Sequence, residues 1–162
     1  MAKDLTSFTL KIAVKADQQT IYNAWTQCCE IEKWFLQTCI FKDANGNSLS
    51  AAENLHAGCN YDWTWFLYDE TEHGSIKEAN GKDHFQFTFA GDCLVDIRLQ
   101  QIGAYTQVAL TQSNIPTDEA SLFNIRIGCN QGWTFYLANL KSFYENGIDL
   151  RNKEAELKGL NN

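Results

Sequence analysis

One pattern constrains this fold more than any other: large apolar and polar residues alternate in one segment after another. In 85–89, FQFTF, three phenylalanines alternate with Gln86 and Thr88. Segments with the same period of two are 5–15, 61–65, 74–79, 93–101 and 105–112. A period of two places apolar side chains on one face of a strand and polar ones on the other. Consecutive strands of this kind predict an antiparallel sheet with one buried and one solvated face.

The end of the chain predicts one long helix that covers this sheet. It begins near Thr117 as N-cap and runs to Asn146, with Gly147 as the C′ residue. Its apolar face comprises Leu122, Ile125, Cys129, Trp133, Tyr136, Leu137, Leu140 and Tyr144. Gly128 and Gly132 each cost about 1 kcal/mol relative to Ala in a helix interior. They either bend the helix or let it approach the sheet closely.

Two short helices are predicted between the first strand and the rest of the sheet. Asp17 is the expected N-cap of the first, which presents Trp25, and the second carries Trp34. The polar segment 43–59 is predicted to be a loop or the end of a weak hairpin. The predicted fold is α+β: a curved six- to seven-stranded antiparallel sheet gripping a long C-terminal helix, with two short helices near the N-terminus. We expect a single domain over 1–151 and a charged tail that frays over 152–162.

Composition excludes several classes of protein. The 162 residues are 44% hydrophobic and 20% charged, which is typical of one globular domain. The net charge of −7 argues against a nucleic-acid partner, and no run of Lys or Arg is present to hold an anionic membrane. No apolar run approaches the roughly 20 residues of a membrane helix, so no membrane insertion is expected. The N-terminus lacks the pattern of a signal peptide, which favours a cytoplasmic location.

The cysteines and histidines give weak signals for metal or catalysis. The six cysteines form no C-x-x-C pair and are expected to be small buried hydrophobes in a reducing compartment. A thiolate site from Cys28, Cys29 and His56 is the alternative, although its spacing matches no known zinc finger. His73 and His84 lie in other turn contexts. No metal is predicted, since the histidines form no H-x-x-E or H-E-x-x-H arrangement, and no cofactor is predicted, since no Gly-rich phosphate loop is present.

The order of motifs resembles the helix-grip superfamily, which contains START lipid-transfer domains, the birch-pollen-allergen fold and polyketide cyclases (SRPBCC). The motifs are Ala24-Trp25, Trp34, Tyr61-x-Trp63-x-Trp65, Gly74-x-Ile76-x-Glu78, the segment 85–89, Gly132-Trp133, Leu140-Lys141 and Gly147-x-Asp149-Leu150-Arg151. The C-terminal motifs are most similar to the branch named for the activator of the heat-shock-protein-90 ATPase. Asn80-Gly81 stands where the family often has a proline.

This resemblance implies a seven-stranded sheet that grips the last helix over an apolar cavity. Many members bind hydrophobic small molecules there, some catalyse cyclisation or hydrolysis, and others only carry the ligand. The candidate ligand-binding residues are Trp34, Tyr61, Trp63, Trp65, Phe87, Phe89, Trp133, Tyr136, Leu137 and Leu140. The alternative for each of these side chains is core packing.

The sequence contains no recognisable catalytic constellation, and the candidate proton-transfer groups are Glu78 and the tyrosines. Glu78 shares the parity of Ile76, so the alternation predicts an inward carboxyl group that could exchange protons. The alternative is a rim position or a pair with a lysine.

Three functions follow as hypotheses. The first is binding or carriage of a small hydrophobic molecule, either a lipid, a sterol or an aromatic compound. The second is a cyclase-like, aromatase-like or hydrolase-like enzyme that uses the same cavity. The third is a chaperone-associated or regulatory interaction module, which predicts an exposed apolar patch.

Overall fold

The computed structural model describes residues 4–160. Residues 1–3 of the predicted domain and residues 161–162 of the predicted tail lie outside this range. The strands are β1 Phe8–Val14, β2 Thr38–Lys42, β3 Asn60–Thr64, β4 Glu72–Ala79, β5 His84–Phe89, β6 Cys93–Ile102 and β7 Tyr105–Ser113. The helices are α1 Gln18–Thr26, α2 Cys28–Ile31, α3 Glu119–Ser121 and α4 Gly128–Asn146, with a π-helical segment, Leu122–Ile127, between the last two.

All seven strands form one antiparallel sheet in the order β1-β7-β6-β5-β4-β3-β2. The chain meanders from β2 to β7, and β1 then closes the far edge by pairing with β7, Phe8 opposite Gln112. The apolar residues of the alternating segments lie on the inner face, where Phe85, Phe87 and Val95 are buried. The predicted α+β class, the curved antiparallel sheet and the long C-terminal helix are confirmed.

The helix ends follow local capping chemistry. The Asp17 carboxylate accepts a hydrogen bond from Thr20 N at 2.9 Å and caps α1, as predicted. Gly147 ends α4 with φ 69°, the left-handed conformation that favours glycine at C′. The predicted cap Thr117 is wrong by one residue: Asp118 accepts from Ser121 N at 3.0 Å. None of the helices within residues 4–160 is long and apolar enough to cross a membrane.

Strand β4 contains an irregularity that overturns the expected direction of Glu78. Ile76 pairs with Phe87 and Ala79 with Phe85, so the register shifts between these two positions. A β-bulge inserts one extra residue and reverses the parity that follows it. Glu78 therefore faces solvent with 63% of its side chain exposed, and Ala79 takes the inward position. The expectation of an inward carboxyl group is wrong, and Glu78 lies outside the apolar interior.

A C-terminal lock ties the end of the chain to the short helices. The Arg151 guanidinium pairs with Asp149 and donates to Leu36 O at 2.8 Å and Glu32 O at 3.0 Å. Asn139 of α4 donates to Trp34 O at 2.6 Å and accepts from Leu150 N at 2.7 Å. Because the backbone carbonyls after α2 have no partner in their own helix, these donors satisfy groups that burial would otherwise leave unpaired.

The same lock reaches the loop after β3. The Arg151 guanidinium lies 5.2 Å from the ring centre of Phe66, and the Lys153 ammonium lies 4.9 Å from it. Phe66 follows Trp65 directly, so these cation–π contacts help to hold the loop in which Trp65 lies. Beyond the lock, Ala155–Leu157 forms a single 3-10 turn, and Lys158 pairs with Asp69 at 2.7 Å.

We expect Asp149→Asn to reduce the fall in the free energy of unfolding between pH 7 and pH 2. Burial raises the pKa of Asp149, but hydrogen bonds from Arg151, Lys153 and Asn139 outweigh it and hold that pKa far below 3.8. A depressed folded pKa contributes stability above pH 4 that is lost as the pH falls through the folded value. Urea unfolding between pH 7 and pH 2 measures it: the variant is less stable at pH 7 and loses less on acidification. Asp92→Asn, at an exposed turn, is the control, and equal slopes for both variants would contradict the assignment.

Candidate functional site

Six of the predicted ligand-binding residues fill the core. Trp34, Tyr61, Trp63, Phe87, Leu137 and Leu140 are each at most 3% exposed. The Trp34 indole donates to Ala24 O at 2.9 Å, and the Tyr61 ring stacks on Trp63 with ring centres 3.9 Å apart. The space between sheet and helix is thus largely occupied by side chains at this end of the molecule. None of these six residues lines the open cleft between the sheet and α4.

The other four predicted residues meet at an open cleft between the sheet and the N-terminal half of α4. Its apolar compartment has a volume of about 200 Å³. It is lined by Phe35, Trp65, Phe89, Asn124, Gly128, Cys129, Gly132, Trp133 and Tyr136. An adjoining rim compartment of about 250 Å³ is lined by Trp65, Tyr68, Glu70, Glu72, Phe89, Gly132 and Tyr136. Four residues belong to both compartments, so the two form one continuous cleft.

The walls of the apolar compartment are aromatic rings that hold one another. Phe35 packs edge-on against Trp65 at 5.6 Å and against Tyr136 at 4.9 Å. Phe89 lies 5.0 Å from Trp133, whose indole N–H donates to Gln112 Oε1 at 2.9 Å. Because each ring has a neighbouring ring and the Trp133 N–H is satisfied elsewhere, the walls are preorganised for an apolar body.

Two glycines of α4 form one side of the cleft. A Cβ atom built on Gly128 or on Gly132 would meet no heavy atom within 4 Å. The interpretation that these glycines let the helix approach the sheet closely is therefore wrong. The helix instead carries two residues with poor helix propensity at positions where a side chain has room. Their effect is to leave the cleft open.

A π-helical segment precedes Gly128 and was not predicted. Over Leu122–Ile127 the backbone forms wider turns, although the sequence continues the apolar period of an α-helix. Such segments are frequent at functional sites. Asn124 of this segment lines the cleft, while Phe123 and Ile127 are 69% and 46% exposed. No signal in the sequence distinguishes the π segment from α-helix.

The loop that contains Trp65 and the turn that follows Phe89 each contain a non-glycine residue in the left-handed region. Leu67 has φ 67° and Ala90 has φ 54°. For residues with a Cβ this conformation costs of order 1–2 kcal/mol and persists where surrounding contacts fix it. Ala90 N donates to Glu72 Oε1 at 2.8 Å, one such contact. Strained backbone thus flanks the cleft on both loops.

The ionisable groups in the apolar compartment are neutral at physiological pH. Burial raises the pKa of the Tyr136 hydroxyl and of the Cys129 thiol above their usual ranges. A protonated phenol and thiol donate hydrogen bonds but are weak nucleophiles. The polar groups of this compartment therefore suit orientation of a ligand.

No histidine lines either compartment of the cleft. The alternative thiolate site of Cys28, Cys29 and His56 is not assembled in the part of the chain that the structure describes. His84 Nε2 lies 2.6 Å from Asp96 Oδ2 on the outer face of the sheet, beside Arg98, which is 66% exposed. That face is polar, as the alternation in 93–101 predicted. Cys28 lies next to Cys39, with 3.0 Å between the two Sγ atoms. Within residues 4–160, no group of three or more His, Cys, Asp or Glu side chains is arranged to hold a metal ion.

Comparison with known proteins assigns the chain to a family. The family model described as activator of Hsp90 ATPase homolog 1-like protein matches residues 15–145. The chain belongs to this family. The matched range runs from the end of β1 to the end of α4 and contains all residues of both compartments, whereas the lock at Asp149 and Arg151 lies beyond it.

Solved structures with this fold are similar over most of their length. A protein from Staphylococcus saprophyticus is 19% identical, with a TM-score of 0.71 over 90% of this chain and 96% of that one. The Aha1 dimer from Colwellia psychrerythraea is 21% identical, with a TM-score of 0.64 over 87% and 97%. An HSP90 activator from Plasmodium falciparum is 16% identical, with a TM-score of 0.60 over 85% and 95%. Among curated proteins, none matches the sequence. At these identities the likeness concerns the fold alone.

Proposed function

We propose that this member of the family binds a small hydrophobic molecule in the cleft between its sheet and α4, as a carrier or sensor in the cytoplasm. The observation that carries the proposal is the pair Gly128 and Gly132. Each lowers helix stability by about 1 kcal/mol relative to Ala, and each leaves open space where a side chain would fit. Both positions line the apolar compartment, so the absence of a side chain at each keeps that compartment open. Rigid aromatic walls and neutral polar groups support the same interpretation.

The enzyme alternative has less support. A cyclase-like or hydrolase-like reaction needs a proton-transfer group or nucleophile that faces the apolar compartment. Cys129 and Tyr136 are held in their protonated forms by burial, and the Glu78 side chain is 63% exposed on the outer face. The chaperone-associated alternative rests on the description of the family and on the names of structurally similar proteins. Those names describe the other proteins.

The proposal is tested by filling the cleft from the helix side. We expect Gly132→Leu to raise the free energy of unfolding by about 1 kcal/mol, because Leu is a better helix former than Gly and its side chain enters open space. The same variant should lose ligand binding. The measurement is a thermal-shift screen of small aromatic compounds, lipids and sterols, in which a ligand at a hundredfold excess over its Kd stabilises wild type by about 2.7 kcal/mol.

The matched control is Ala138→Leu, which adds a leucine to the exposed side of the same helix. It should retain the ligand-induced shift of wild type. Two outcomes overturn the proposal: silence of wild type across the whole screen, or a ligand whose shift survives in Gly132→Leu.

A further inference from the structure

The charged groups at the mouth of the cleft have one sign. In the rim compartment, Glu70 and Glu72 contribute carboxylates, and no Lys or Arg lines either compartment among the residues that the structure describes. Neighbouring cations are engaged elsewhere. Lys158 pairs with Asp69 at 2.7 Å, and Arg151 and Lys153 both pair with Asp149.

The two rim carboxylates retain free acceptor atoms. Glu72 Oε1 accepts from Ala90 N at 2.8 Å, while its second oxygen has no hydrogen-bond partner within residues 4–160. Within the same range, the Glu70 side chain makes no hydrogen bond or ion pair, although its charge helps to raise the pKa of Lys158 from a distance. Each carboxylate therefore retains acceptor atoms for an incoming donor.

Aromatic side chains line the rim compartment beside these carboxylates. Trp65, Tyr68, Phe89 and Tyr136 line the rim compartment together with Glu70 and Glu72. Aromatic rings combined with carboxylates are the surroundings that bind organic ammonium groups, since ring faces attract cations and the carboxylates supply charge. A fatty-acid anion in this place would face two carboxylates with no lining cation.

We infer that the ligand is an amphiphilic amine, with a one- or two-ring apolar body in the apolar compartment and an ammonium group at Glu70 and Glu72. This inference rests on the proposed function and narrows its ligand class. The size of the apolar body follows from the volume of the apolar compartment, about 200 Å³, which is smaller than the roughly 300 Å³ at which pockets for drug-sized ligands begin. The charge of the whole chain, −7, also favours approach of a cation.

Three probes with one body and different ends test the inference: 2-naphthylmethylamine, 2-naphthylmethanol and 2-naphthoate. Titration calorimetry at pH 7 and low salt, with the Trp65 indole N–H resonance as a site-specific readout, measures each Kd. We expect the amine to bind about tenfold more tightly than the alcohol, and the carboxylate to bind most weakly. High salt should narrow these differences.

The double variant Glu70→Gln/Glu72→Gln should bind amine and alcohol about equally. The amide introduced at position 72 keeps an oxygen that can accept from Ala90 N, so the fold of the rim is retained. Glu78→Gln, on the outer face of the sheet, is the control and should keep the preference for the amine.

The outcomes separate the two proposals. If alcohol, amine and carboxylate bind wild type equally well, or if the carboxylate binds most tightly, the charge inference is overturned and the hydrophobic cleft stands. A preference for the amine that persists in the double variant also overturns it. If no probe binds and the wider screen is silent, the proposed function fails and the inference fails with it.

Discussion

Replacing Arg151 with Ala is expected to lower the free energy of unfolding by about 3 kcal/mol. Only 2% of the Arg151 side chain is exposed, and its guanidinium satisfies Leu36 O, Glu32 O and Asp149 together. Truncation leaves the two carbonyls without this donor and removes the strongest ion pair of Asp149, which keeps Lys153, Asn139 and the Arg151 backbone N–H as donors. Unpaired buried carbonyls and a broken, largely buried ion pair are both costly. Urea unfolding monitored by tryptophan fluorescence measures the effect. At this chain length we expect a fall in Tm of about 6–12 °C.

Two further substitutions make this expectation specific. Arg98→Ala removes an arginine that is 66% exposed and paired only at the surface, so it should cost less than about 1 kcal/mol. Arg151→Lys should recover little, because an ammonium group lacks the planar fork that reaches three acceptors. A loss for Arg151→Ala no larger than that of Arg98→Ala would show that the lock does not hold the chain end.

Gly74→Ala is expected to cost about 2–3 kcal/mol, even though it adds a single methyl group. In β4, a Cβ on Gly74 would overlap the ring of Tyr61. That ring cannot withdraw easily, since it is 1% exposed, stacks on Trp63 at 3.9 Å and donates its hydroxyl to Thr88 O at 2.6 Å. Overpacking of a core at a fixed ring costs energy through displaced backbone and strained rotamers.

The matched control for Gly74→Ala is Gly128→Ala. The Gly128 Cβ would meet open space, so the same chemical change should stabilise the protein by up to about 1 kcal/mol. Thermal and urea unfolding of both variants measure the contrast. If Gly74→Ala were as stable as wild type, Tyr61 would have to repack freely, and the close approach seen here would have no energetic weight.

Local chemistry explains which parts of the fold were predictable. The alternation in 85–89 needs only the period of a strand, and the helix end at Gly147 needs only a residue that tolerates positive φ, so both were predicted correctly. The predicted inward direction of Glu78 was wrong because the β-bulge depends on how β4 pairs with β5. The bulge leaves no mark in the parity of β4 itself.

Local pattern also accounts for the part of the candidate site that could be predicted. Four of the predicted residues line the cleft: Trp65, Phe89, Trp133 and Tyr136. Trp34 and Trp63 are tryptophans as well, but they are buried in the core. Composition identifies an aromatic interior but does not say which ring borders empty space. Phe35, Glu70 and Glu72 were missed, since nothing in their neighbours along the chain distinguishes them.

The sequence by itself determined the antiparallel sheet, the two short helices and the long helix that covers the sheet, because hydrophobic period and capping are local properties. Only the tertiary structure decided where the interior stays open. That depends on the π segment, on the empty positions at Gly128 and Gly132, and on loops held at Leu67 and Ala90. Open space is a relation between surfaces distant in sequence, and packing in three dimensions alone fixes it.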